Sequence, residues 1–254
     1  MATSVLVTRP AGQADELLRA LAQAGYASVH HQPMLELVPL KELAAAQRQH
    51  VLDLDCYQHV IFISSNAVRF GLECIEDYWP QLPSGINWYA IGDATARILE
   101  ARGLSPLSPK EQINSEGLLA LPELAQVAGQ RVLIVKGTGG RKTLRETLHQ
   151  REARVDELAC YRRACPEMAS GSLAELLFRK AVDVVMISSG EGLHNMLTLL
   201  SDKESTNFRD IGLVVPSPRV AKLAQQAGFN DVITAANASD AAMLQALQQW
   251  RAGD

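Results

Sequence analysis

Hydroxyls, glycines and cations recur in this chain wherever a run of β-branched and apolar residues ends. The groups are Thr8-Arg9-Pro10, Ser64-Ser65-Asn66, Gly92-Asp93-Ala94-Thr95, Lys136-Gly137-Thr138-Gly139-Gly140, Ser188-Ser189-Gly190 and Ser217-Pro218-Arg219. In an open parallel sheet, ligands sit at the carboxyl ends of the strands, where helix N-termini also present free N–H groups. Backbone N–H, hydroxyl and guanidinium donors gathered there suit a ligand with several anionic groups. The serines and Asn66 equally suit helix N-caps, and Asp93 suits the first turn of a helix.

Other chemistries lack their residues. Gly137-Thr138-Gly139-Gly140-Arg141-Lys142-Thr143 is not a Walker A loop, because Arg141 stands where a glycine must precede the lysine. No strand leads into G-x-G-x-x-G, so a dinucleotide site is not expected. The histidines, His30, His31, His50, His59, His149 and His194, have no metal-binding spacing, and Cys56, Cys74, Cys160 and Cys165 form neither a redox pair nor a zinc knuckle. No G-x-S-x-G elbow is present. The expectation is therefore no cofactor, no metal and no strong side-chain acid or base: an enzyme of this kind would orient a reactive substrate.

The elements that carry these groups alternate between strand and helix. Residues 4–8 read as a strand buried on both faces, followed by a helical pattern through Leu17, Leu18 and Leu21 that ends at Gly25. An extended piece follows from Ser28 to Val38, then a polar stretch from Lys41 to Asp55. A buried strand at Val60 to Ile63 leads into a helix through Val68, Leu72 and Ile75, and further strand–helix pairs begin at Trp88, Arg131, Asp183 and Gly212. This alternation predicts α/β architecture with parallel sheets and right-handed crossovers.

The chain also repeats itself. Val60 to Ser65 returns as Val184 to Ser189, Val5 to Pro10 as Val132 to Gly137, Ala90-Ile91-Gly92 as Val215-Pro216-Ser217, and Asn114-Ser115-Glu116 as Ala238-Ser239-Asp240, all at offsets of about 125 residues. Leu17 and Leu21 are answered by Leu144 and Leu148. Two similar domains are expected, with a ligand on the face between them. The unit at 4–37 and its copy at 131–163 could each combine with either longer unit, at 58–120 or 183–247, and repeat order does not choose between these arrangements.

With 254 residues, 47% apolar and 20% charged residues and a net charge of -4, the chain has the composition of a soluble globular protein. The charge argues against a nucleic-acid surface, which needs a concentrated basic stripe. The absence of a basic leader and of a long apolar run argues against secretion and membrane spanning. A cytoplasmic protein is expected.

The same strand-end groups carry a resemblance. Leu6-Val7-Thr8-Arg9-Pro10, Ile61 to Val68, Ala90-Ile91-Gly92-x-x-Thr95-Ala96, Lys136-Gly137-x-Gly139-Gly140-Arg141, Tyr161-Arg162-Arg163, Ile187-Ser188-Ser189 and Ala238 to Met243, in this order and spacing, resemble the uroporphyrinogen-III synthase family. The likeness extends from residue 4 to about residue 247. It implies two similar α/β domains, each an open parallel sheet flanked by helices, joined by a two-stranded connector. The implied domains are 1–38 plus 167–254 and 41–158, with connectors near 33–40 and 156–166.

The resemblance further implies a cyclising hydro-lyase of tetrapyrrole biosynthesis acting as a monomer on hydroxymethylbilane, with transient contact with the enzyme that makes this substrate. Tyr161 and Thr95 match positions near the family's active site. Arg9, Ser64, Ser65, Asn66, Lys136, Gly137, Gly139, Ser188, Ser189, Ser217 and Arg219 are the expected substrate contacts. Val220 departs from the pattern, standing at the second-copy counterpart of Thr95 where some members carry threonine; Ser217 or Arg219 would replace that hydroxyl. The competing reading is a non-catalytic two-domain binding protein for a small polyanion.

Overall fold

Runs of apolar residues too short for a buried helix satisfy their backbone as strands covered on both faces. A computed structural model describes residues 3–140 and 142–252, among which are ten strands, with β1, β4, β8 and β9 buried along their whole length. In chain order β1 to β10 are Ser4–Val7, Ser28–His31, Glu36–Pro39, His59–Phe62, Asn87–Ala90, Arg131–Gly137, Arg154–Ala164, Val184–Met186, Gly212–Val215 and Val232–Thr234. They form two five-stranded sheets, each flanked by helices: β10-β9-β8-β1-β2 and β3-β7-β6-β4-β5. The first sheet is parallel throughout, as are the β7-β6-β4-β5 pairings of the second.

The chain divides into two compact units, Met1–Leu37 with Ala164–Asp254, and Val38–Arg163. In the first, β1 and β8 pair in register, Val5 with Val184 and Val7 with Met186. Asp183 clasps the start of this ladder, since its carboxylate accepts from the Ser4 N–H at 2.7 Å and its own N–H donates to the Ser4 carbonyl at 3.0 Å. Alternate side chains then feed two cores: Leu6 and Val185 face Leu193, Leu213 and Val220, while Val5, Val7 and Val184 face Leu17, Leu21 and Leu247.

In the second unit, β4 lies between β5 and β6 and is wholly buried. The amino-terminal edge of this sheet is tied by side chains. Arg131 lies over the Tyr57 ring at 4.4 Å, and the Tyr57 hydroxyl donates to Asp156 Oδ2 at 2.7 Å. Burial, reinforced by Asp156, pushes the Tyr57 phenol well above its usual range, which keeps it a donor.

Three local expectations need correction. The extended piece from Ser28 to Val38 is two strands, β2 and β3, in different sheets. Pro33, with no N–H to give a ladder, lies in the break between them. The polar stretch from Lys41 to Asp55 contains a helix, Ala45–Leu52, whose one buried residue is Val51; so little apolar periodicity leaves no readable pattern. The helix Asp202–Asn207 and strand β10 were also not anticipated; the helix is short and polar, and its signal is the capping box of Ser201 and Glu204.

The repeat is present in space but one residue out of the sequence register in two places. Ser64 caps the helix Ser65–Glu76 and Ser189 caps Gly190–Leu199, so Ser189 answers Ser64, and Ser188 answers Ile63. Likewise Asn114 caps Ser115–Leu119, whereas Ser239 accepts from the Ala242 N–H before Asp240–Ala252. Together with Gly92 and Ser217, the helix starts recur at one offset of about 125 residues. Matching apolar letters tolerates a slip that capping geometry does not. Where β9 pairs β10 on its outer side, β5 has, among the described residues, a single bridge from Tyr89 to Leu107.

The helix Ser65–Glu76 approaches β6 through Gly71, where an added Cβ would collide with the Val135 side chain and come within 3.2 Å of the Phe62 ring. Alanine raises helix propensity by up to about 1 kcal/mol, but overpacking costs about 1–3 kcal/mol. Gly71→Ala is therefore expected to lower the stability of the second unit by about 1–2 kcal/mol in urea unfolding. Val135→Ala in the same chain should relieve part of the collision, giving a less than additive loss.

Candidate functional site

In the second unit the site begins with a fault in the β6–β7 ladder. Lys136 pairs with Ala159 but Gly137 pairs with Tyr161, so Cys160 is the extra residue of a bulge. A bulge bends its strand and re-aims the next side chain. Here Cys160 and Tyr161, consecutive in sequence, are both buried. The Cys160 thiol bonds to the Lys136 carbonyl at 3.2 Å; burial, with Cys74 nearby, pushes it up to about 12, making it a packing group and not a nucleophile.

Tyr161 is 3% exposed. Its ring packs against Phe70 at 5.2 Å and covers Gly137, where an added Cβ would lie 2.7 Å from Tyr161 Cζ. Its hydroxyl lies 3.3 Å from Ser64 Oγ, the cap that accepts from the Ala67 N–H at 3.0 Å. The hydroxyl of Ser64 is thus shared between a helix start and a phenol. This brings together Ser64, Gly137 and Tyr161, with Ser65 and Asn66 in the first turn of the capped helix. Thr95 stands apart at the end of β5, buried in the helix Asp93–Glu100, and its counterpart Val220 is buried equally.

Lys136 is nearly buried and donates to Glu157 Oε1 at 3.0 Å, while Arg145 lies 3.7 Å from Glu157 Oε2. Two cations therefore share one carboxylate. This trio lines a cavity of about 380 Å³ walled by Ile63, Ile91 and Ile113, and a second of about 270 Å³ along Gly137 to Gly140. Gly139 and Gly140 have φ of +74° and +92°, in the left-handed region that favours glycine. Arg141, part of the glycine motif, lies outside the described residues. Sequence reasoning passed over Glu157, Arg145, Phe70 and Ile113. The available signal for Glu157 was an acidic pair, Asp156-Glu157, inside a strand.

In the first unit, Ser189 and Ser217 cap their helices, accepting from the N–H of Gly192 at 3.0 Å and of Val220 at 3.4 Å. The Arg219 guanidinium lies across Gly190, with Nη1 3.3 Å from where a Cβ would stand, so Arg219 joins the Ser188-Ser189-Gly190 turn. Arg9 is held elsewhere on the same edge. Its Nη2 donates to the Ala238 carbonyl at 2.5 Å and lies 2.6 Å from Asp240 Oδ1. Close approach is not full satisfaction, for Arg9 Nε and Asp240 Oδ1 are buried without an aligned hydrogen-bond partner.

Both carboxyl edges thus combine helix starts, capping hydroxyls and pre-paired cations, an arrangement able to bind carboxylates by N–H and charge-assisted bonds. Among the described residues no cluster of His, Cys, Asp and Glu could hold a metal, and no helix is long and apolar enough to cross a membrane. The family model described as Uroporphyrinogen-III synthase HemD matches residues 15–245. The uroporphyrinogen-III synthases of Escherichia coli and Salmonella typhimurium are each 34% identical, over 96% of this chain and 100% of theirs. A mutant uroporphyrinogen III synthase from Thermus thermophilus has the same fold, with a TM-score of 0.62 at 17% identity over 100% of both chains. The Helicobacter pylori synthetase does too, at 0.61 and 12% identity over 97% of this chain and 99% of that one. On the strength of the family match and of relatives aligned along nearly its whole length, this chain belongs to the uroporphyrinogen-III synthase HemD family.

Proposed function

We propose that the chain cyclises hydroxymethylbilane to uroporphyrinogen III with inversion of ring D and loss of water. The observation that carries this reading is the Tyr161 hydroxyl, positioned by Ser64 beside a glycine loop and paired cations. Each ring of the bilane carries an acetate and a propionate, a load that scattered N–H, hydroxyl and cationic donors can hold in one curled conformation. Orientation matters most, because the unaided bilane closes without inversion.

In the proposed reaction ring A loses its hydroxyl, assisted by electron push from its pyrrole nitrogen. The departing oxygen gains a proton as the ring nitrogen loses one, so water leaves and the protein gives up no net proton. The azafulvene formed is attacked by the substituted carbon of ring D, and the resulting spiro intermediate fragments and recloses with ring D inverted. Tyr161 donates to the departing oxygen. In this reading Ser64, whose oxygen accepts from the Ala67 N–H, is assigned as the donor to the Tyr161 oxygen, which leaves the phenolic proton for the departing hydroxyl. Thr95, Ser65, Asn66, Gly137, Gly139, Ser188, Ser189, Ser217 and Arg219 are assigned to ligand contact. Arg9 and Lys136 are assigned to carboxylate arms.

Purified protein given fresh hydroxymethylbilane, with no added cofactor or metal, is expected to yield the type III isomer after oxidation and separation; type I product alone would contradict the reading. Tyr161→Phe keeps the ring that packs on Phe70 and Gly137, so it isolates the hydroxyl. It should lower kcat/KM by roughly 10- to 100-fold, the size of one hydrogen bond to a developing charge, while substrate binding changes less. An unchanged kcat/KM would leave Tyr161 a packing role. Gly137→Ala, which pushes a methyl group into the same ring, should produce a loss of about the same order in a protein that remains folded, as judged by circular dichroism.

A further inference from the structure

Arg9 and Lys136 occupy equivalent places at the carboxyl end of the first strand of their copies, and each already has a carboxylate partner within its own unit. Their carboxylates are not equivalent. Arg9 is met by Asp240, from the start of the helix Asp240–Ala252, whose counterpart in the second unit is Ser115. Lys136 is met by Glu157 of β7, whose counterpart on β2 is His31; that histidine turns Nε2–H to the Arg9 carbonyl at 2.8 Å. A pairing inherited from one ancestral copy would use matching positions. Two different positions supplying the same charge to equivalent cations point instead to a requirement of the site.

Resting on the reading above, we propose that Glu157 is a built-in stand-in for a substrate arm, occupying Lys136 and Arg145 until a pyrrole-borne carboxylate displaces it. Three features support the exchange. Glu157 binds its cations unequally, at 3.0 and 3.7 Å, so one oxygen is only loosely held. It is 29% exposed at the side chain while Lys136 is 8% exposed, so Glu157 can swing out and Lys136 cannot follow. The cavity that the trio lines has walls of Ile63, Ile91 and Ile113, an apolar surface for a flat ring whose carboxylate ends on the cations. An incoming arm therefore finds a cation that is desolvated but never left bare, since an unpaired charge there would be costly. Ligands without a carboxylate cannot displace Glu157, which makes it a specificity residue acting through Lys136.

The probe is a monopyrrole bearing one acetate and one propionate, titrated calorimetrically. Glu157→Gln keeps an acceptor for Lys136 but removes the competing charge, and should tighten binding roughly 5- to 10-fold, with the gain shrinking as salt rises. Arg145→Met, at a half-exposed position that tolerates change, should weaken the probe several-fold and give a second reading should Glu157→Gln fail to fold. Unchanged or weaker binding in Glu157→Gln, an indifferent Arg145→Met, or no binding by any form would overturn the proposal. Wild-type conversion of the bilane is measured alongside. Type III product with no tightening rejects the stand-in alone, whereas tightening without type III product rejects the enzymatic reading and leaves an exchangeable carboxylate site.

Discussion

Everything in the first unit depends on the ladder between β1 and β8, which joins residues separated by most of the chain. Closing so long a loop costs on the order of 4–5 kcal/mol in chain entropy. Against it stand six apolar side chains in the paired strands, from Val5 to Val7 and Val184 to Met186, all nearly or fully buried. At about 1.5–3 kcal/mol each, as an upper bound, their burial exceeds the closure cost. The clasp of Asp183 on Ser4 fixes where the ladder starts, and a slip of one residue would exchange the two cores that flank the sheet.

Register also governs the chemistry. In the second unit the ladder shift at Gly137 turns Tyr161 toward Ser64, and only glycine leaves room for the ring. One backbone irregularity thus connects a helix cap, a phenol and the glycine loop. Strands that are regular elsewhere hold this one departure in place, because β6 is paired on both sides.

The strands and their helices were legible because their apolar runs have the right length and spacing, as at Val60 to Ile63 and in Leu17 and Leu21. The helix Ala45–Leu52 was not, having almost no apolar face to read. Strand-end groups were legible as a class, since parallel topology puts them at one edge. Their partners were not: Glu157 reaches Lys136 across a strand pair and Asp240 reaches Arg9 from the far end of the chain, contacts that carry no local signature. The slip between Ser188 and Ser189 arose because hydrophobic letters align equally well at neighbouring offsets, while a capping hydroxyl fits only one.

A common principle links the two units: several polar groups at each carboxyl edge are already engaged from within. Serines cap helices, cations hold internal carboxylates, and the phenol is bonded to a cap, so a ligand must exchange existing bonds instead of filling bare ones. The central claim, resting on the proposed function, is that the carboxyl edge of the second unit holds a polyanionic tetrapyrrole. Amide chemical-shift mapping of the labelled protein during anaerobic titration with uroporphyrinogen III tests it most directly. The account predicts perturbations concentrated at Ser64 to Ala67 and Gly137 to Gly140, with the Tyr57, Arg131 and Asp156 edge unmoved; shifts confined to that opposite edge would contradict it.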